Sequence, residues 1–463
     1  MRATRLLVLA VLASTGCPDR TISAVPVDQG KVEVKDIPAI PKRDIDILFM
    51  IDDSPSMQDE QESLKANFPR MVDVLNSIDG GLPDVQIGVI TPNLGTSALD
   101  GTQAAPIGGC SGRGDDGVLR QRDGMTGPRF LRDVDDHAGG RQRNYTGTLA
   151  DAFSDFASVG ITGCGIEQHL GAIERATDGS KPENAGFLRD DAYLAVIVIA
   201  DEDDCSLQKS SLFDANPRLG AGYGEKTNFR CTSQGVVCDT PSTDFEAATG
   251  PREDCHPRAD ITEVAAVDRY ADHIKSLKHN PRDIVVAGIV GDPTNFEIVK
   301  DGGFTGLANA CPGGGTTKVA FPAVRTDNFL EQFPLRTRST ICATDLSQNL
   351  VEIGALIKAV IVEPCFDNDL LDVDPATPGP QYDCSVTEVR RRPGFDDEEL
   401  DVLPACSSGQ FPCWRIEEDA VKCSYTNADP HLKLVVDRGA VPADPDLHVK
   451  ASCVTTDASG PVL

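Results

Sequence analysis

The chain has 463 residues, 40% hydrophobic and 25% charged, which suits a soluble protein long enough for two or three buried cores. Its 72 Asp and Glu outweigh 43 Lys and Arg, for a formal net charge of −29. A polyanion argues against nucleic acid and against anionic bilayer surfaces, which need basic patches, and it attracts cations; simple colloidal stability is the plainer use of such charge.

The N-terminus reads as a targeting segment. Arg2 and Arg5 are followed by a short apolar stretch, Leu6–Ala13, and then by Ser14-Thr15-Gly16-Cys17. The stretch is too short to span a bilayer. Gly followed by Cys at this point resembles the lipobox of bacterial lipoproteins, in which the Cys becomes the acylated first residue. Ser14 departs from that pattern, because Leu is usual three residues before the Cys. The resemblance implies a signal peptide over 1–16, lipidation at Cys17, and a cell-envelope location, anchored to a membrane on its periplasmic or cell-surface face. Plain secretion with cleavage nearby is the alternative. No later run of about 18 apolar residues exists to cross a membrane. Residues 17–43, with Pro26, Pro38 and Pro41, read as a tether. Of the 15 cysteines, 14 remain if Cys17 carries lipid, an even number suited to seven disulfides in an oxidising compartment. No CxxC pair points to zinc or a redox centre.

From Asp44 strands and helices alternate. Asp46–Ile51 is an apolar strand. Met57–Ile78 is a helix, since Met57, Glu60, Leu64, Phe68, Met71 and Leu75 recur every three or four residues, and Pro69 should kink it. Val85–Thr91 is a second strand. Residues 92–145 are a Gly/Asp/Arg-rich insertion, expected as surface loop. Tyr145–Ala157 and Gly165–Thr177 are helices around the turn Val159-Gly160-Ile161-Thr162-Gly163. Tyr193–Ala200 (YLAVIVIA) is a central strand. A second insertion, 205–258, is too polar for a core, and Cys205, Cys231, Cys238 and Cys255 should staple it. Ile261–Lys278 is an amphipathic helix and Asp283–Val290 an apolar strand. Asn328–Phe333, Ser339–Thr344 and the helical Leu346–Ile361 complete the unit. This alternation predicts an α/β fold over 44–365: a doubly wound, mostly parallel sheet covered on both faces. Residues 366–463 carry five cysteines and short alternating runs such as His431–Val436, and predict a small disulfide-rich β-domain. Residues 367–380 are its linker.

The first strand ends in Asp-x-Ser-x-Ser (Asp52, Ser54, Ser56), and the Tyr193–Ala200 strand ends in Asp201-Glu202-Asp203-Asp204. Ligands in open α/β sheets sit beyond the carboxyl ends of strands, where strand order reverses. If these two strands are neighbours, Asp52, Asp201 and the two serine hydroxyls converge. Such hard oxygen donors suit Mg²⁺, Mn²⁺ or Ca²⁺ and not zinc.

This pattern, with a helix after the first strand and a Gly/Thr turn leading into a later helix, resembles von Willebrand factor A domains bearing a metal-ion-dependent adhesion site. The resemblance spans roughly 44–361. The run IDDSPSM, with ADEDD and the scattered cysteines, is similar to the lipoprotein members found in bacteria. It implies Ser54 and Ser56 as direct ligands, Asp52 and Asp201 as ligands mostly through water, and Thr162 in the Gly-rich turn as the threonine ligand. It implies Mg²⁺ (or Mn²⁺/Ca²⁺) as cofactor and, as partner, a protein ligand presenting an Asp or Glu carboxylate. The expected function is therefore non-enzymatic adhesion or capture. The alternative is a structural envelope lipoprotein whose metal only stabilises the fold.

Other features carry blander readings. Glu202, Asp203 and Asp204 could hold a second cation or cap the following turn. Asp367, Asp369, Asp372 and Asp374 lack the Gly and terminal Glu of an EF-hand loop and read as solvated linker. Arg113-Gly114-Asp115 matches an adhesion tripeptide, but so short a match arises by chance. The seven histidines form no HExxH, and no GxSxG, GxxxxGK[ST] or GxGxxG stands in a strand–helix context.

Overall fold

The computed structural model describes residues 32–456, except 39–42, 79–80, 108, 122–126, 137, 214–226, 246, 260–262, 279, 302–303, 312–317, 363, 393–396, 421–422, 424–425, 427 and 444–446. The expected signal peptide 1–16 and lipidated Cys17 lie outside these residues. The strands are β1 (Val32–Pro38), β2 (Asp44–Ile51), β3 (Asp84–Ile90), β4 (Leu131–Asp135), β5 (Arg141–Arg143), β6 (Tyr193–Ile199), β7 (Val236–Thr240), β8 (Gly250–Pro257) and β9 (Ile284–Val290). They continue with β10 (Phe296–Asp301), β11 (Phe304–Leu307), β12 (Arg336–Thr340), β13 (Cys384–Arg390), β14 (Glu398–Val402), β15 (Cys413–Glu418), β16 (Leu432–Asp437) and β17 (Leu447–Val454). The α-helices are α1 (Gln58–Asn76), α2 (Leu149–Ala157), α3 (His169–Thr177), α4 (Thr227–Gly235), α5 (Val267–Ser276), α6 (Val324–Glu331) and α7 (Ser347–Val362). Two compact units result, divided after Ile40 and before Cys365.

The larger unit is built on a sheet of order β12-β9-β6-β2-β3-β4-β5. β12, β9, β6, β2 and β3 run parallel, and β4 and β5 are added antiparallel at one edge. β6 and β9 are buried along their whole length, which is why they read as unbroken Val/Ile/Ala runs. Side chains of β2 alternate between faces. Ile45, Ile47, Phe49 and Ile51 pack in one cluster with residues of α1, α2 and α7. Leu48 and Met50 pack in another with α3, α5 and α6. Phe49, Phe68 of α1 and Phe153 of α2 meet at centroid distances of 4.8–6.0 Å from Phe49 and 3.6 Å between the two helices. Burying such rings is worth about 1.5–3 kcal/mol each, and they fix both helices under the end of β2. Helix α1 runs through Pro69 without a break.

The expected fold class, a doubly wound mostly parallel sheet with only a small β-domain outside it, is corrected here. Of seventeen described strands only five run parallel, and three of the four sheets are wholly antiparallel. The protein is mixed α/β, with antiparallel sheets stapled by seven disulfides. The cause lies in the insertions. The first, expected as surface loop, supplies β4 and β5, and buries Leu119, Phe130 and Leu131. The second supplies α4, β7 and β8, which join β10 and β11 in an antiparallel sheet around Phe229, Val236, Phe296 and Ile298. Cys205–Cys231 and Cys238–Cys255 hold it.

The smaller unit has the sheet β1-β17-β13-β14 and the pair β15-β16 over Phe366, Val386, Leu434 and Val449. Part of the expected tether is thus a strand. β1 escapes a hydrophobic pattern search because two of its buried side chains, Glu33 and Lys35, form an ion pair at 2.9 Å. Glu33 also accepts from the Asp367 and Asn368 N–H groups, and Lys35 pairs with Asp367. The acidic stretch 367–374 is used in turns: Asp372 Oδ1 accepts from the Asp374 and Gln381 N–H groups, and Asp369 Oδ1 from that of Asp429.

Candidate metal centre

From β2 the chain steps to one side to build β3 and to the other to build β6, so the ends of β2 and β6 diverge around a crevice. The Asp52 N–H donates to Ile199 O at 3.0 Å, placing Asp52 beside Asp201. The Ser54 N–H donates to Asp52 Oδ1 at 2.7 Å, an Asx turn that leads into the 3-10 turn Pro55–Met57. That turn brings Ser54 Oγ and Ser56 Oγ to 3.0 Å, and the Ser56 hydroxyl stands near enough to favour the Asp201 anion. Gln61 of α1 donates to Asp52 O (3.0 Å) and to Gly160 O (2.8 Å), tying the Gly-rich turn to the strand end. The turn then passes so close that a Cβ on Gly163 would stand 2.1 Å from Asp53 Oδ1, so only glycine fits there. Gly160, at φ +90, supplies the left-handed bend.

Asp52, Ser54, Ser56 and Asp201 therefore converge. Thr162, in the Gly-rich turn that Gln61 ties to Asp52, has an exposed side chain, as has Ser56. Two residues without a part in the expected site, Glu167 and His169 at the start of α3, also lie beside Asp52. Asp52, Glu167 and His169 place potential ligand atoms within 4.8 Å of one another, and His169 Nε2 is 3.9 Å from Glu167 Oε2. The three are 0%, 3% and 0% exposed. The only hint in the sequence was a Glu-x-His pair directly after the Gly-rich turn. Gln168 between them is fixed, since its Oε1 accepts from the Leu207 N–H at 3.0 Å.

The electrostatics are those of crowded buried anions. Burial, then the charge of Asp201, pushes the Asp52 carboxyl well above its ordinary value, against the Ser54 N–H, which favours the anion. Burial, then Asp52, Glu202 and Asp201, does the same to Glu167. Burial takes Asp201 to about 6 and Glu202, with Asp201 beside it, to about 8. Burial lowers His169 to about 4, so its ring is neutral near pH 7. Asp52 Oδ2, Glu167 Oε2, Asp201 Oδ1 and both ring nitrogens of His169 are buried without a hydrogen-bond partner. Leaving such atoms unpaired costs about 1–3 kcal/mol each, more for charged ones. A divalent cation would satisfy the carboxylate oxygens and one ring nitrogen of His169 together, so these residues fit one; the other ring nitrogen stays without a partner among the described residues.

Asp203 and Asp204 have other work. Asp203 accepts from the Arg325 and Thr326 N–H groups at 2.9 and 3.0 Å, capping α6. Asp204 Oδ1 accepts from the Leu170 N–H at 2.9 Å near the start of α3, and Asp204 Oδ2 pairs with Arg325 Nη2 at 2.8 Å. Asp115 of the Arg113-Gly114-Asp115 tripeptide accepts from Thr91 Oγ1 at 2.6 Å. Cys110–Cys164 joins the first insertion to the segment between Thr162 and Glu167, and Cys205–Cys231 anchors the chain just beyond Asp204.

No protein-family description matches the chain, and neither does any curated protein sequence. Among solved structures, similarity is low. Proximal thread matrix protein 1 from the mussel byssus gives a TM-score of 0.30 at 11% identity, over 71% of this chain and 50% of that one. The pilus adhesin SpaC from Lactobacillus rhamnosus GG gives 0.31 at 9%, over 93% and 42%. The pilus adhesin RrgA from Streptococcus pneumoniae gives 0.28 at 10%, over 92% and 58%. The chain thus spans about half the length of these proteins, and likeness of this size carries no argument about function. Among the described residues no helix is long and apolar enough to cross a membrane.

Proposed function

We propose that the chain is a non-enzymatic binding module of the bacterial cell envelope, of the von Willebrand factor A type. In this reading a divalent cation between the ends of β2 and β6 holds a carboxylate of a protein partner. The observation that carries it is the set of orphaned buried oxygens on Asp52, Asp201 and Glu167, beside the hydroxyls of Ser54 and Ser56. The cation would supply a Lewis-acidic point to which an Asp or Glu of the partner binds. Asp52 and Asp201 would neutralise it, and the uncharged hydroxyls of Ser54 and Ser56 would contribute donors without adding anions. Pro55, Ser56, Gly160, Ile161 and Thr162 are exposed and would form the open rim. Ile161, 36% exposed, is among the few large apolar side chains at the surface and offers a contact beside the carboxylate. Acylation at Cys17 would anchor the module to a membrane, with more than one acyl chain needed for stable attachment.

A second reading is favoured by one observation: Asp52, Asp201 and Glu167 are at most 3% exposed, as in a site that only stabilises. The two separate in one experiment. Immobilised peptides, each bearing a single Asp or Glu, are incubated with the oxidised protein with and without divalent ions. Metal-dependent capture that EDTA and Ser56→Ala both abolish supports the adhesion reading. A metal-dependent rise in melting temperature with no capture of any peptide overturns it in favour of the stabilising role.

A further inference from the structure

His169 is the least expected residue in the crevice. A buried neutral imidazole normally makes at least one hydrogen bond. His169 is 0% exposed, and neither ring nitrogen has a partner. Read as a core residue, it leaves two polar atoms unpaid. Read as a ligand, one of the two is taken by the ion that Asp52 and Glu167 already call for, and only the other is left over. Its position is set by its neighbours. The Leu170 N–H is held by Asp204, the Gly171 N–H donates to Ser206 Oγ at 2.8 Å, and the Gln168 side chain is pinned between loops. The spacing also allows it. Two ligands each about 2.1 Å from one ion can stand no more than about 4.2 Å apart. Glu167 Oε2 and His169 Nε2 are 3.9 Å apart.

Mg²⁺ and Ca²⁺ take oxygen ligands, and Mg²⁺ in particular keeps several waters. An imidazole beside carboxylates suits first-row transition ions, whose affinity for nitrogen-containing sites rises along the Irving–Williams order. Glu167 and His169 thus shift the donor set away from the all-oxygen one that Asp52, Ser54, Ser56 and Asp201 make alone.

We propose that Asp52, Glu167 and His169 together bind the cation directly, and that the site selects a first-row transition-metal dication, in the range Mn²⁺ to Zn²⁺, over Mg²⁺ and Ca²⁺. This rests on the presence of the cation in the proposed function but not on partner capture. The test is direct titration of Mg²⁺, Ca²⁺, Mn²⁺, Co²⁺ and Zn²⁺ into the oxidised, EDTA-treated protein, for wild type, His169→Phe and Glu167→Gln. The expected result is tighter binding of Co²⁺ and Zn²⁺ than of Mg²⁺ in wild type. His169→Phe should weaken Co²⁺ and Zn²⁺ by about tenfold or more while leaving Mg²⁺ unchanged. Mg²⁺ or Ca²⁺ binding as tightly as Zn²⁺, or a His169→Phe protein with unaltered Co²⁺ affinity, overturns the proposal. If His169→Phe does not fold, Co²⁺-loaded wild type decides. A paramagnetically shifted, exchangeable imidazole N–H resonance supports His169 as ligand, and its absence overturns it. Failure of peptide capture with an ion bound would sink the adhesion reading alone; failure of every ion to bind would sink both.

Discussion

Asp52, at the end of β2, and Glu167, two residues before α3, bring carboxylate oxygens within 4.8 Å of each other where neither residue is more than 3% exposed. Two anions so placed favour a cation and disfavour its loss. Adding an ion the site accepts at about 100 times its dissociation constant should stabilise the fold by about 2.7 kcal/mol over EDTA. Thermal unfolding measures this, and Asp52→Ala should erase the difference while the protein still unfolds cooperatively. An equal ion response in Asp52→Ala would place the binding elsewhere.

The same carboxyls set a pH dependence. Asp201 at about 6 and Glu202 at about 8 hold protons more tightly when folded than when unfolded. Their stabilising contribution is therefore complete below the unfolded values near 4 and is lost as pH rises through the folded ones. His169, lowered to about 4, acts in the opposite sense between 4 and 6.5. The clean window is pH 6.5 to 8. In EDTA the melting temperature should fall across it, and more shallowly for Glu167→Gln, which removes one repelling charge. With saturating cation the slope should vanish or reverse, since the ion binds the deprotonated site. A flat profile in EDTA would mean that these carboxyls are not crowded in solution.

How much of this was legible in the sequence follows from what each segment packs against. β2, β6 and β9 lie between helix layers, so their apolar runs stand out, and Asp52, Ser54, Ser56 and Asp201 are found by standing at the ends of two of them. β5 and β7 are edge strands with β4 and β8 beside them, and the buried Asp133 of β4 is paired with Arg141 and Arg143 of β5, so LRDVD and RQR show no apolar pattern and read as loop. β1 hides behind the inward Glu33–Lys35 pair. Apolar periodicity runs past the true helix starts: Thr148 caps α2 by accepting from the Asp151 N–H at 3.1 Å, so α2 begins at Leu149 and not at Tyr145. Glu167 and His169 do not stand out in the sequence because titratable residues at a helix start normally face water. Only the tertiary crossing of α3 behind Asp52 shows that these two face inward.

Asp203 and Asp204 adjoin Asp201, yet their partners predict a different phenotype. Asp204→Ala leaves Arg325, 2% exposed, without its counter-charge and strips the Leu170 N–H of its acceptor. Removing one partner of a buried pair costs about 3–5 kcal/mol. Asp203→Ala loses a helix cap and the acceptor of the Thr326 hydroxyl and the Asp204 N–H but leaves no buried charge unpaired, so it should cost less, about 1–2 kcal/mol. Chemical denaturation should rank them in that order. In the Asp203→Ala protein the stabilisation by cation should persist. Its disappearance there would make Asp203 part of the metal site.

Cys110–Cys164 closes a loop with a sequence separation of 54 and ends three residues before Glu167. In the chain-entropy account a loop of that length is worth on the order of 4 kcal/mol. The bond also ties the first insertion to the turn whose Gly163 N–H donates to Asp53 O at 2.8 Å. Cys110→Ser with Cys164→Ser should therefore do two things at once. Stability should drop by that amount in EDTA, and cation affinity should weaken as well, because the approach to Glu167 and His169 is no longer held. A matched control, Cys406→Ser with Cys413→Ser in the smaller unit, opens a loop with a separation of only 7 and should leave cation affinity untouched. Calorimetric titration of both double variants separates the effects: equal cation affinity in the two would mean that the first insertion does not position the site.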